Sequence, residues 1–312
     1  MCKKKLSIII PMYNSENDIE DLLTSIVQGN SENIEVIVVD DGSTDDSFKK
    51  AISYSKKDNR IKVYQQKNAG APAARNNGLK HSEGEYIYIV DSDDRLFSSA
   101  ISRIIKYLDE SSPDLLIGSY SVFSEDNKLI ESNKFENKII TTASNNFNEV
   151  FFLSPLPGNK IFKKAVIAEN NLKYTNVKIG QDLNFFIKFI PFAKNILFIN
   201  ENIYKYYVRE NSISRTYSRK ILDISTSIND AEAFYRSNDF SYPEIIEKLK
   251  VMNYYLQLSK VPFIKDKKER KYVSNEFRKI YQEVLPLKYK NNISKKILFL
   301  TYLKLKSFNI IY

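Results

Sequence analysis

Short runs of strand-forming residues alternate with helical patterns over the first third of the chain. Strands are predicted at residues 6–10, 34–39, 61–65 and 86–90. The last run has five apolar or aromatic residues without polar alternation, which is typical of a strand buried on both faces of a parallel sheet. From Ile19, apolar residues recur at i, i+3, i+4, i+7 and i+8, which predicts a helix buried on one side. The alternation predicts an α/β fold with a doubly wound, mostly parallel sheet flanked by helices.

The later part of the pattern adds strands and then becomes helical. Strands are predicted at 114–123 and 196–208, and residues 155–162 are predicted to cross the surface of the sheet near its ligand site. Helices are predicted at 220–235, 242–260, 267–284 and 293–308.

Three carboxylates follow the fourth predicted strand. Asp91, Asp93 and Asp94 lie within four residues, just beyond the carboxyl end of that strand, where open α/β sheets bind ligands. Clustered carboxylates raise one another's pKa unless a cation neutralises them, and hard oxygen ligands favour Mg²⁺ or Mn²⁺. The pattern therefore predicts a divalent metal that holds a phosphate-bearing ligand. The alternative is a solvated acidic turn that caps the next helix.

Polar residues also follow the first two strands. Asn14 or Ser15 is predicted to cap the first helix. Asp40 and Asp41 come after the second strand, where a carboxylate can accept hydrogen bonds from a nucleotide base or a ribose hydroxyl. The alternative, that the residues from Ser43 onwards form a capping box, is compatible with that role.

Four further charged residues are candidates for contacts with an anionic ligand or an acceptor. Arg75 enters a helix after a segment of small residues, and it either reaches a phosphate, pairs with a strand-end aspartate or is a helix-surface arginine. Asp182 begins a helix whose dipole stabilises its anion by about 0.3–1 kcal/mol; an ordinary first-turn residue is the alternative. Arg209 and Arg215 lie in a polar loop that either closes over a diphosphate or is a linker.

The rare residues exclude several classes of protein. His81 is the only histidine, and it is predicted to be solvated near a helix end, which argues against a Ser-His-Asp or Cys-His catalytic arrangement. Neither G-x-G-x-x-G nor a Walker A sequence occurs, which argues against dinucleotide enzymes and P-loop NTPases. Cys2 is the only cysteine, which predicts a reducing, cytoplasmic setting. The basic and apolar start of the chain is predicted to be the first strand and not a signal peptide.

The net charge is concentrated in the C-terminal third. Residues 1–215 hold 28 Lys and Arg against 28 Asp and Glu, whereas residues 216–312 hold 19 against 10. We therefore predict an α/β domain over residues 1–215 and a basic helical region over residues 216–312. No nucleic-acid-binding motif is recognisable, so no nucleic acid partner is expected. The helical region is predicted to dock on an anionic membrane, at the inner face of the plasma membrane; packing on the α/β domain or formation of a homodimer is the alternative.

Six segments in a fixed order resemble the family-2 glycosyltransferases, a large bacterial group with the GT-A fold that builds capsules, exopolysaccharides and lipopolysaccharide. They span residues 5 to about 215 and leave the C-terminal helices uncovered. The segments are S-I-I-I-P-M-Y-N, V-V-D-D-G-S-T-D-D-S, A-G-A-P-A-A-R-N-N-G-L, E-Y-I-Y-I-V-D-S-D-D, N-K-I-F-K-K and Q-D-L-N-F-F.

The resemblance implies a role for each matching residue. The nucleotide would be bound by Pro11, Tyr13, Asp40, Asp41 and Arg75. Asp91 and Asp93 match the D-x-D motif, which binds the metal and the ribose. Asp182 matches the catalytic base, but Gln181 stands where the family usually has glutamate, which puts in doubt the acceptor contact that this glutamate would make.

The resemblance also implies a reaction. It is an inverting, Mn²⁺- or Mg²⁺-dependent transfer of a sugar from a nucleotide-sugar donor, with a UDP-sugar favoured, to a hydroxyl of a glycan or lipid-linked acceptor in cell-surface polysaccharide synthesis. The alternative is an inactive nucleotide-sugar-binding subunit of a polysaccharide assembly complex. Such a subunit would be expected to lose Asp93 or Asp182, and both are present.

Overall fold

The computed structural model of the protein describes residues 4–28, 32–209 and 217–284. The helix predicted at 293–308 and Arg215 lie outside these ranges. By its contacts the chain divides into two compact units. The first comprises the described residues within Met1–Phe147, Pro155–Asn176 and Phe189–Arg209; the second comprises those within Asn148–Ser154, Val177–Lys188 and Glu210–Tyr312. The domain boundary at residue 215 stays a prediction.

Ten strands form one mixed sheet in the described part of the chain. Its order is β3-β2-β1-β4-β9-β6-β10-β5, with β7 paired to β6 and β8 to β10. The strands are β1 (Leu6–Met12), β2 (Ile34–Asp40), β3 (Ile61–Gln65), β4 (Tyr86–Ile89), β5 (Arg95–Leu96), β6 (Leu115–Ser124), β7 (Leu129–Asn133), β8 (Lys138–Thr141), β9 (Lys160–Lys163) and β10 (Asn195–Val208).

The helices follow the predicted positions closely in both units. The first five are α1 (Ile19–Val27), α2 (Ser47–Lys57), α3 (Ala71–His81), α4 (Ala100–Ser111) and α5 (Lys164–Glu169). They are followed by α6 (Gln181–Phe189), α7 (Asp223–Ser237), α8 (Pro243–Lys260) and α9 (Lys267–Val284). No helix among the described residues is both long enough and apolar enough to cross a membrane.

The four strands β3, β2, β1 and β4 pair in parallel, as their patterns predicted. Every residue of β1 and β2 is buried, because helices cover a parallel sheet on both faces. The register places Met12, at the end of β1, opposite Asp40, at the end of β2. The polar residues after these strands therefore meet at one edge of the sheet.

The segment at 155–162 was predicted wrongly. It does not cross the surface of the sheet, because its second half forms β9, which lies between β4 and β6 and is antiparallel to both. Ile161 and Phe162 are buried there. Pairing on both sides satisfies their backbone polar groups, which a loop over the sheet would leave to water.

The predicted cap of α1 was also wrong. The helix begins at Ile19 with Asp18 at the N-cap position, and the Asp18 side chain makes no capping hydrogen bond. Asn14 and Ser15 instead join neighbouring loops. Asn14 Oδ1 accepts a hydrogen bond of 2.9 Å from the Thr44 N–H, and Ser15 N–H donates to Ser47 Oγ at 2.7 Å.

Gly158 gives a test of how tightly β10 packs against the turn before β9. A Cβ atom added to Gly158 would lie 1.9 Å from the ring of Tyr204, which is fully buried. Since Tyr204 is held at its hydroxyl by Asp94, we expect Gly158→Ala to lower the free energy of unfolding by about 1–3 kcal/mol, the usual cost of overpacking. Urea unfolding measures the change. The exposed Ser102→Ala variant is the control and should change stability by less than about 0.5 kcal/mol; similar values for both variants would contradict the packing described.

Candidate active site

The carboxyl ends of three parallel strands place the predicted ligand residues at one edge of the sheet. Pro11 lies inside β1 opposite Val39 and is buried. Tyr13 follows β1 and is 49% exposed. Tyr13 is thus accessible to a ligand at this edge, whereas Pro11 is covered by protein.

Arg75 is paired with the first aspartate of the D-x-D segment. Its Nη2 atom lies 2.8 Å from Asp91 Oδ1, and its guanidinium lies 5.2 Å from the ring centre of Tyr174. The Arg75 side chain is only 3% exposed, whereas that of Asp91 is 30% exposed. The interpretation of Arg75 as a helix-surface residue is therefore wrong, and its pairing with a strand-end aspartate is confirmed.

Arg209 lies beside the second aspartate of the segment. Its Nε atom is 3.6 Å from Asp93 Oδ2, and its Nη2 atom donates to the Asp93 carbonyl oxygen at 3.1 Å and to Asp18 Oδ1 at 2.6 Å. Burial raises the pKa of Asp93 to about 6, and the neighbouring Asp91 charge adds to the rise, while Arg209 opposes it. The carboxyl groups therefore repel one another as the sequence predicted.

Asp94 differs from its two neighbours because it is buried and faces protein. Its Oδ2 atom accepts a hydrogen bond from the Tyr204 hydroxyl, and its Oδ1 atom accepts one of 2.7 Å from the Tyr207 N–H. Burial, followed by the charges of Asp93 and Asp91, raises the pKa of Asp94 well above its ordinary value. Asp94 thus ties the end of the D-S-D-D segment to β10.

Asp40 and Asp41 are almost completely buried, at 0% and 3% exposure. Asp40 accepts a hydrogen bond of 3.0 Å from Gln65 Nε2. Asp41 accepts hydrogen bonds from the N–H groups of Ala69 and Gly70, at 2.9 and 2.8 Å, and so fixes the loop that leads into α3. Their contact with a nucleotide base stays a prediction.

The D-S-D-D segment is also held from the side of β1. Ser92 Oγ lies 2.7 Å from Ser15 Oγ, and both residues are buried. Because Ser15 follows β1 and Ser92 follows β4, this hydrogen bond joins the ends of adjacent strands. The turn that carries Asp91 and Asp93 is therefore supported by neighbours on two sides.

Asp91 and Asp93 fit one part of a divalent metal site. Among the residues that the structure describes, no group of three or more His, Cys, Asp or Glu side chains is arranged to hold a metal ion. The two partly exposed carboxylates still suit Mg²⁺ or Mn²⁺, since Mg²⁺ usually takes one or two protein carboxylates and completes its shell with water and substrate phosphates. The raised pKa of Asp93 is the property expected of an acidic pair that a cation would neutralise.

Asp182 belongs to the second compact unit, in the first turn of α6. The turn before it is fixed within that unit, because Gly180, at φ +84°, accepts a hydrogen bond of 2.6 Å from Ser227 Oγ through its carbonyl. Asn184, one turn on, donates to the Ser227 carbonyl at 2.7 Å. These contacts give Asp182 a defined backbone, and its catalytic role stays a prediction.

The residues that support the D-x-D pair were missed by the sequence analysis. Tyr204 and Tyr207 lie in a strand that was predicted, but alternation along a strand does not reveal which side chain meets a carboxylate. Asp18 and Tyr174 lie 191 and 99 positions from the arginines that they contact, so no local signal connects them. The only local signal was Asp94 itself, a third carboxylate in the D-S-D-D segment that needs hydrogen-bond donors if it is buried.

The mixed sheet, with β3, β2, β1 and β4 parallel and helices at its sides, is that of an α/β protein of the GT-A class. The fold matches the crystal structure of S. aureus TarS 1–349 in complex with UDP-GlcNAc, with a TM-score of 0.74 and 25% identity, over 90% of this chain and 82% of that chain. The chain belongs to glycosyl transferase family 2, whose family model matches residues 7–170.

Two curated relatives from Streptococcus pneumoniae serotype 4 are similar over most of this chain. Glycosyltransferase GlyG is 32% identical over 244 residues, which cover 72% of this chain and 80% of GlyG. Glycosyltransferase GlyA is 32% identical over 227 residues, which cover 69% of this chain but only 32% of GlyA. The predicted family and GT-A fold are thereby confirmed.

The hydrogen bond from Tyr204 to Asp94 can be tested by removing one hydroxyl. In Tyr204→Phe the ring remains but the buried Asp94 carboxylate loses a donor, so we expect the free energy of unfolding to fall by about 1–3 kcal/mol. Tyr207→Phe is the matched control, because its hydroxyl bonds to exposed Asn127 while its backbone N–H still reaches Asp94. Urea unfolding of both variants measures the difference. Equal losses would show that Asp94 does not depend on Tyr204.

Proposed function

We propose that this chain transfers a sugar from a nucleotide-sugar donor, with a UDP-sugar favoured, to a hydroxyl of a glycan or lipid-linked acceptor in cell-surface polysaccharide synthesis. The observation that carries the proposal is the pair Asp91 and Asp93 at the strand ends, each beside an arginine, in a chain of glycosyl transferase family 2. The likeness to TarS, which was crystallised with UDP-GlcNAc, supports the choice of nucleotide.

Asp91 and Asp93 would hold the divalent ion. When bound, Mg²⁺ or Mn²⁺ supplies positive charge that offsets the charge developing on the diphosphate leaving group. Arg75 is too buried to leave Asp91 easily, and it would keep that carboxylate oriented. Arg209 is 31% exposed at its side chain, and it adds positive charge beside the same pair.

Asp182 would act as the general base. An acceptor hydroxyl has a pKa far above 7, so it needs a positioned carboxylate to take its proton as its oxygen attacks C1 of the sugar. In this single displacement the new C1–O bond forms while the bond from C1 to the diphosphate oxygen breaks. The nucleoside diphosphate leaves with the bonding electrons, and the configuration at C1 inverts.

A thermal-shift panel tests the donor site and its metal. UDP-, GDP-, dTDP- and CMP-sugars are each added to the full chain with Mn²⁺ or with EDTA. A ligand that binds only the folded state raises the unfolding midpoint by mass action. We expect a rise with a UDP-sugar in Mn²⁺ that disappears in EDTA, and we expect Asp93→Asn to abolish the metal-dependent part.

A shift that is the same in EDTA would remove the metal from the proposal. A larger rise in the unfolding midpoint with a GDP-, dTDP- or CMP-sugar would make that nucleotide the proposed donor in place of UDP. If no nucleotide-sugar raised the midpoint, the proposed donor site would be refuted.

Asp182→Asn separates chemistry from binding. We expect donor binding in the thermal-shift assay to stay within about twofold, while transfer to water or to an acceptor falls by about 10²- to 10⁴-fold, the usual contribution of a general base. Glu247→Gln, an exposed carboxylate in the same compact unit, is the control and should retain full transfer. Loss of donor binding in Asp182→Asn would refute the assignment of the base. Absence of transfer in the unmodified chain, with donor binding intact, would favour the inactive binding subunit.

A further inference from the structure

A groove with a basic lining runs along α9 in the second compact unit. Its volume is about 560 Å³. The residues that line it are Val261, Pro262, Lys267, Arg270, Lys271, Ser274, Asn275 and Arg278. Four of these side chains are cationic and none is acidic, so the groove is a site of positive potential.

The spacing of the groove residues along α9 separates positive from negative charge. Lys267, Lys271 and Arg278 stand at i, i+4 and i+11, which places them in one stripe of an α-helix. Glu269 and Glu276 lie about half a turn away from that stripe. Glu269 accepts a hydrogen bond of 2.8 Å from the Arg219 N–H, and Glu276 pairs with Lys279 at 2.7 Å.

The cations of this stripe are available to a ligand. Lys267, Lys271 and Arg278 are exposed, and within the described part of the chain they make no ion pair. Arg270 donates to the carbonyl oxygen of Ile264 at 3.1 Å, which orients it beside the stripe. The buried side of α9 is formed by other residues, including Val273 and Phe277, so the cations are not needed to pack the helix.

An exposed aromatic side chain, Phe263, follows the groove residues Val261 and Pro262 in the chain. It is 66% exposed, and its ring centre lies 5.6 Å from that of Tyr217. Tyr272, at 53% exposure, lies in α9 about a third of a turn from the stripe. Aromatic side chains prefer the boundary between lipid and water, and a helix surface that combines them with lysines and arginines is typical of interfacial binding. Soluble phosphate would need the cations but not the aromatics.

We propose that the basic groove of α9 docks the chain on the surface of an anionic phospholipid bilayer, with the cations against the lipid phosphates and Phe263 at the headgroup boundary. The charge of residues 216–312 predicted that this region contacts a membrane, and the proposal identifies the residues that would make the contact. It does not depend on the proposed donor or acceptor, because it rests on the second compact unit alone.

The test is flotation of the full chain with vesicles. We expect binding to phosphatidylcholine vesicles that contain phosphatidylglycerol, none to phosphatidylcholine alone, and loss of binding at high salt, which screens surface charge. The triple variant Lys267→Gln, Lys271→Gln, Arg278→Gln should bind on the order of a hundredfold more weakly, since each cation near an anionic surface contributes about fivefold. Phe263→Ser should weaken binding severalfold and leave its salt dependence unchanged.

The matched control removes three exposed lysines from the first unit, Lys80→Gln, Lys106→Gln and Lys128→Gln, and should bind as the unmodified chain does. If both triple variants lost binding equally, net charge and not the basic groove would explain the binding to vesicles, and the proposal would be refuted. Undiminished binding by the α9 variant, absence of binding at low salt, or displacement by inorganic phosphate at matched ionic strength would each overturn the bilayer as its ligand. The donor thermal shift of the same variants reports separately on the proposed transfer activity.

Discussion

Three carboxyl groups within four residues are the constraint on which this candidate site depends, because like charges at the end of a buried strand destabilise one another. The fold provides a different environment for each. The first two carboxylates stay partly exposed beside arginines, and the third is buried under hydrogen bonds from β10. Position within the turn, more than residue type, decides which aspartates can meet a ligand.

The division has a chemical consequence. A buried carboxylate that already has two donors cannot approach a cation without leaving an unsatisfied hydroxyl behind. Asp91 and Asp93 keep exposed oxygen atoms at the edge where β1, β2 and β4 end. Asp94 therefore orients the turn, while the side chains of Asp91 and Asp93 stay partly exposed. The hydrogen bond between Ser15 and Ser92 restrains the same turn from the opposite side.

The parallel half of the sheet could be predicted because β1, β2 and β4 are mostly apolar runs that end at polar residues and β3 is a short run rich in strand formers. The third predicted strand, Ile61–Gln65, has the same bounds in the structure. β9 could not be predicted in the same way, since K-I-F-K becomes a strand only when β4 and β6 are available on either side. The pairing of Arg75 with a strand-end aspartate was among the alternatives predicted from residue type and place, whereas the burial of Asp94 depends on partners more than 100 positions away.

The distance in sequence between Asp94 and its partners affects the order in which their hydrogen bonds can form during synthesis. Tyr204 and Tyr207 are synthesised 110 and 113 residues after Asp94, so the nascent chain displays the D-S-D-D turn long before its anchor exists. The local pairing of β1 and β2 can precede this event, while the closure of a loop of that length is entropically slow. The D-S-D-D turn therefore lacks these two hydrogen bonds until β10 has been synthesised, and the nascent chain carries its acidic segment without that anchor.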